Sequence, residues 1–132
     1  MSKASNWLED QIINYFYRGQ QVTQPTQLYL ALYTTNPTDG DSGTEVVGAG
    51  YSRKLINFNA PTQQNDRGTT TNSARIEFPR ATGSWGEIAY FAIRTAATGG
   101  NMLSHGAFNK PTAINDGDQY VIEAGNLTVT VG

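Results

Sequence analysis

The sequence predicts a mainly β protein: an antiparallel β-sandwich or barrel with one N-terminal α-helix. A jelly roll is the preferred topology, and an immunoglobulin-like sandwich stays open. Three observations carry the prediction. Apolar residues come in short alternating runs, the period of a half-buried strand. Clusters of Gly, Asn, Asp and Pro separate those runs, as turn chemistry requires. Charged residues make up only 15 % of the 132-residue chain, against about 25 % in ordinary soluble domains. That low charge fits a Thr- and Gly-rich β protein, and a surface partly covered by neighbours.

The one helical pattern lies at about 4–18. Asn6 with Glu9 three residues on has the form of a capping box. Leu8, Ile12, Tyr15 and Phe16 then fall on one face at helical spacing, flanked by Trp7 and Ile13. Arg18 suits the negative end of the helix, and Gly19 is a natural stop. The helix either packs on one end of a sheet or forms an arm that docks on a partner chain.

The β-domain is expected over about 27–132. Its first strand is 27–34, with Leu28, Leu30 and Leu32 on one face and Tyr29, Ala31 and Tyr33 on the other. A wide polar loop, 36–50, leads to a second strand at 51–58. Residues 59–71 read as a long surface loop with Arg67-Gly68 as a turn. Residues 72–78 read as a strand with Ala74, Ile76 and Phe78 inward and Arg75 and Glu77 outward, ended by Pro79. The stretch 86–94 is apolar on both faces and reads as a central strand. After the turn at Gly99-Gly100-Asn101 comes a strand at 102–108, with Gly106 as a candidate bulge. After the turn at 115–118, residues 119–124 and 126–131 suggest a terminal hairpin. Nothing marks a second domain, so 1–132 is expected to fold as one.

Composition removes several function classes. There is no cysteine, hence no disulfide, zinc–thiolate site or thiol nucleophile. Net charge is −2 without a basic cluster, which argues against nucleic-acid binding through phosphate neutralisation. No apolar run approaches the ~20 residues of a membrane span. The N-terminus lacks a secretory pattern, so synthesis in the cytosol is expected.

Catalysis has few candidates. His105 is the single histidine and falls in an expected strand, without a nucleophile-elbow serine; a structural role is expected. Asp39, Asp41 and Glu45 in the 36–50 loop have spacing that could hold calcium, although turn formation explains Asp-Gly and Ser-Gly equally well. Trp85, Tyr29, Tyr33, Tyr51, Tyr90 and Tyr120 could stack on sugars at a loop end, but strand aromatics more commonly belong to a core or interface. No catalytic residue, cofactor or metal ligand is assigned.

The motifs Leu28-Tyr29-Leu30-Ala31-Leu32-Tyr33-Thr34-Thr35-Asn36-Pro37, Thr44-Glu45 and Gly50-Tyr51-Ser52-Arg53 form a recognisable series. Trp85-Gly86-Glu87-Ile88, Ala97-Thr98-Gly99-Gly100-Asn101-Met102-Leu103 and Ala124-Gly125-Asn126-Leu127 continue it. In order and spacing they resemble a family of small tailed-phage virion proteins, called tail-fibre proteins and also used as capsid decoration (cement) proteins. The chain departs from that pattern at Ile93-Arg94-Thr95-Ala96, where an acidic residue is expected.

The resemblance implies a virion structural role without enzymatic chemistry, made in the host cytoplasm and carried on the outer surface of the capsid. It implies a homotrimer with the major capsid protein as partner. The expected subunit or capsid interface is Trp7, Leu8, Ile12, Tyr15 and Phe16, with the 36–50 and 59–71 loops as alternatives. A tail-fibre or tail-tip module binding host glycans is the other reading.

Overall fold

The computed structural model describes residues 2–132. Ten strands and one short helix follow in order: β1 (Ser2–Ala4), α1 (Asn6–Ile12), β2 (Leu28–Tyr33), β3 (Lys54–Ile56), β4 (Thr62–Gln64) and β5 (Arg67–Thr71), then β6 (Ile76–Glu77), β7 (Gly86–Arg94), β8 (Met102–Ile114), β9 (Val121–Ile122) and β10 (Thr128–Val131). All strand pairings are antiparallel. A five-stranded sheet has the order β1-β8-β7-β2-β3. A three-stranded sheet, β10-β5-β4, and a two-stranded one, β6-β9, complete a sandwich-like fold.

β2 and β7 form the centre of the large sheet because both carry apolar groups on both faces. Their register sets Leu30 against Ile93 and Leu32 against Phe91. These residues face the inner layer and pack with Ile56, Ile76, Phe78, Trp85, Ile88 and Leu127. Phe78 is the aromatic hub: its ring lies 6.2 Å from Tyr51, 6.5 Å from Trp85 and 6.1 Å from Tyr120. Burial raises the Tyr120 hydroxyl to about 12, which keeps it neutral. The indole N–H of Trp85 donates to the Ala49 carbonyl at 2.9 Å, so its buried donor is satisfied.

The opposite face of the sheet carries Ala31, Tyr33, Ala92 and Met102, also buried. Ala92 pairs with His105, and Tyr29 with Arg94, so His105 and Arg94 share that outer face. The 36–50 segment folds back over it. Thr34 N–H donates to Thr44 O and Val46 N–H to Leu32 O, both at 3.0 Å, so the segment re-enters alongside β2. Gly43 permits the fold-back: a Cβ there would lie 2.6 Å from Pro37 Cα, closer than any side chain can approach.

Several expected boundaries change. The 59–71 stretch is a hairpin, not a loop, and Arg67-Gly68 is strand. The turn is Asn65-Asp66, with φ of 51° and 61°, the left-handed pair that a two-residue type I′ turn demands. The 51–58 strand shrinks to β3, with Phe58 making only a bridge to Asn72. In 72–78, Ile76 and Phe78 are buried but Ala74 is exposed, because only Ile76 and Glu77 pair, with β9. β8 continues past 108 to Ile114. Gly106 pairs regularly with Phe91, and the larger of two irregularities lies where the register steps from Tyr90↔Ala107 to Ile88↔Thr112; the other lies between Ile93↔Ser104 and Arg94↔Met102. Pro111, which has no N–H to donate, falls in the larger step. The terminal hairpin does not form: β9 pairs with β6, and β10 with β5.

Candidate functional site: an apolar arm beside a tethered loop

The N-terminal arm is fixed at its base and open along its length. β1 pairs with β8. Ser5 caps α1, its hydroxyl accepting from Leu8 N–H at 3.0 Å and donating to the Met102 carbonyl. Its own N–H donates to Leu103 O at 2.8 Å, and Asn6 N–H donates to Asp39 O at 3.0 Å. The cap is therefore Ser5, not Asn6, and the expected capping box does not form. Buried Ser5 already faces the carbonyl of a core strand, so it starts the helix one residue earlier.

The helix is also shorter and less regular than 4–18. After Ile12 it widens into a π-helical turn, Ile13–Tyr17, with Arg18 N–H donating to Ile13 O at 3.1 Å. Gly19 ends it at φ 66°, as a left-handed stop requires. Neither turn buries a residue completely. Tyr15 and Phe16 are 50 % and 74 % exposed, with rings edge-on at 4.9 Å.

The five residues expected at an interface are brought together. Trp7, Leu8, Ile12, Tyr15 and Phe16 all line one groove of about 440 Å³, closed by Val22 and Pro25 of the connector and by Leu103 of β8. Spacing alone did not single out Tyr17, which is 81 % exposed, and placed Ile13 only at the flank although it is 51 % exposed. Among the described residues, four of the seven large apolar side chains left exposed fall within residues 13–17. Singly exposed apolar residues are ordinary; a cluster on one protruding element marks an interaction site.

Beside the arm, the 36–50 loop is tied to the sheet through three carboxylates. Asp39 Oδ1 lies 2.7 Å from His105 Nε2, and Asp41 Oδ1 accepts from Arg94 Nη1 at 2.6 Å. Glu45 takes a bidentate contact from Arg53, at 2.9 Å from Nε and 2.8 Å from Nη2, and a 2.6 Å hydrogen bond from the Tyr51 hydroxyl. Burial opposes ionisation of Glu45, but the Arg53 and Tyr51 hydrogen bonds and the Arg53 and Arg94 charges outweigh it. They hold the carboxyl below its ordinary value. Burial first, and then the bond to Glu45, drive the Tyr51 hydroxyl upward.

Each acid therefore meets its own nitrogen-bearing side chain: Asp39 meets His105, Asp41 meets Arg94 and Glu45 meets Arg53. Among the described residues, no three acidic or histidine side chains are placed to share a metal ion. Arg94, at the position where the resemblance leads one to expect an acidic residue, is the buried anchor of the loop and also donates to the Gly99 and Gly100 carbonyls.

The sandwich thus carries four of its seven exposed large apolar side chains, among the described residues, on one arm. The chain matches the sequence model of the family described as "Gp80: Podophage GP4 fiber I protein gp80" over residues 3–130. It belongs to that family, and so to the structural proteins of tailed-phage virions. A comparison with curated proteins returns no match. No helix among the described residues is long and apolar enough to cross a membrane.

Proposed function

We propose that this chain is a capsid decoration (cement) protein, held on the outer surface of the head and bridging major capsid proteins against the pressure of packaged DNA. The observation that carries the reading is the groove formed by Trp7, Leu8, Ile12, Tyr15 and Phe16. It offers apolar area on a base tied into the main sheet, through the pairing of Ser2–Ala4 with β8 and the bond from Ser5 N–H to Leu103 O. Fixing the base in advance lowers the ordering cost of binding. The role needs no reaction. Modest contacts, repeated by symmetry over a shell, sum to a large stabilisation.

A second reading, suggested by the word fiber in the family's description, is a tail-fibre or tail-tip module that binds host glycans. Immunogold labelling of intact virions separates the two. Label over the whole head supports the decoration role; label confined to the tail overturns it. Copy number on a stained gel of purified particles gives the same decision, with hundreds of copies for a head protein and a handful for a tail component.

A further inference from the structure

The arm is held at the start of α1 by three bonds, and all of them lead back to β8. Two leave from Ser5, whose hydroxyl donates to the Met102 carbonyl and whose N–H donates to Leu103 O. Because both come from one residue, they act as a pivot. They fix where α1 starts but not the direction in which it runs. The third bond leaves from the next residue: Asn6 N–H donates to Asp39 O at 3.0 Å. The Asp39 side chain then returns to β8, where its Oδ1 lies 2.7 Å from Nε2 of His105. His105 is buried and stands opposite Lys3, at the middle of the β1–β8 pairing. Ser5, Asn6, Asp39, His105 and β8 thus close a ring of contacts around the base of the arm.

The turn that presents Asp39 is fastened on its own account. Thr38 and Asp41, on either side of Asp39-Gly40, have φ of 58° and 60°, a left-handed setting that is costly for a β-branched residue such as Thr38. Ser42 N–H donates to Pro37 O at 2.6 Å, and the hydroxyls of Thr38 and Ser42 lie 2.7 Å apart. Asp41 is held by the buried Arg94.

We propose that Asp39 is a positioning residue for the arm: it turns the pivot at Ser5 into a fixed mount and so sets the angle of the apolar groove against the sheet. The groove spans that joint, with Trp7, Leu8 and Phe16 on the arm and Leu103 on β8, so its width follows the angle. A displacement of the 36–50 loop is passed to the groove through this one residue. The value of a fixed angle for attachment rests on the function proposed above. The link itself belongs to the free chain, and its test involves no particle.

The chain contains two tryptophans, Trp7 on α1 and the buried Trp85 in the core. Fluorine NMR of the full chain made with fluorotryptophan therefore reads arm and core separately. Asp39 does not line the groove that holds Trp7, so a change at Trp7 reports movement of the arm. Asn6→Pro removes the donor at the first helical position, where proline is favoured. Ser5 before it already has the extended backbone that proline requires, with φ −73° and ψ 163°. Asp39→Ala removes the anchor on His105 and keeps the residue-39 carbonyl. Each should shift and sharpen the Trp7 resonance and leave the Trp85 resonance in place. Both act on one link, so the double variant should shift Trp7 no further than the larger single change. Glu45→Gln, which loosens the same loop at its other end, should leave Trp7 unmoved. An unchanged Trp7 resonance in Asn6→Pro overturns the proposal, and this variant decides alone if Asp39→Ala does not fold. Equal shifts at Trp7 and Trp85 in Asn6→Pro, full additivity in the double variant, or a Trp7 shift of the same size in Glu45→Gln also overturn it.

Discussion

Arg94 and Asp41 stand 53 residues apart in sequence and meet at 2.6 Å on the outer face of the main sheet. Arg94 is buried while Asp41 keeps more than a third of its side chain in water. The asymmetry predicts unequal costs. Asp41→Ala leaves a buried guanidinium short of its anion and should cost ~1–3 kcal/mol. Arg94→Met also removes the donor to the Tyr33 hydroxyl and to the Gly99 and Gly100 carbonyls, and should cost more than Asp41→Ala. Urea unfolding of the two single variants and the double variant gives the coupling directly.

Glu45 predicts an acid limb. Its carboxyl sits below the ordinary 4.5 in the folded chain, so the folded state holds fewer protons than the unfolded state in that window. Its stabilisation is complete above the ordinary value and is lost as pH falls through the lower folded value. Glu45→Gln should lower stability at neutral pH and flatten the acid-side dependence. Unfolding midpoints measured from neutral pH downward check the sign.

Asn72 ties three segments together. Its side-chain amide donates to the Ala74 and Glu123 carbonyls at 2.9 and 3.1 Å, and its Oδ1 accepts from Leu127 N–H at 2.9 Å. Asn72→Ala strands buried backbone groups and should cost at least ~3 kcal/mol. Asn72→Asp should cost nearly as much, because it loses both donors. Denaturant titration distinguishes these outcomes from a neutral surface change.

Phe78→Ala removes the ring around which Tyr51, Trp85 and Tyr120 pack. The cost should be ~3–5 kcal/mol, with loss of near-ultraviolet aromatic signal before loss of β-sheet signal. Retention of wild-type stability would mean that these contacts do not organise the core.

Legibility in the sequence followed burial. Leu28–Tyr33 and Gly86–Arg94 could be read directly because both faces of each strand are apolar. The β4–β5 hairpin was hidden: Thr62–Gln64 is entirely exposed and has no apolar alternation, so Asn65-Asp66 was the only signal. The terminal strands misled for a related reason. The turn around Ala124-Gly125-Asn126 is local, whereas the pairing of β9 with β6 and of β10 with β5 depends on distant partners such as Asn72. On the arm, helical spacing gathered the five groove residues. No 3.6-residue pattern anticipates the π turn over Ile13–Tyr17, and Tyr17 at its end was not singled out although it is exposed.

The most direct test of attachment through the groove is rebinding of purified protein to particles stripped of it. Residues 2–5 should be left intact, because they belong to the main sheet and its cap. Trp7→Ser with Phe16→Ser is therefore preferred to truncating the arm. We predict that the wild-type chain sediments with the particles, and that the double variant, folded by circular dichroism, stays in solution. Co-sedimentation of the variant at the wild-type level would contradict the groove as the attachment surface.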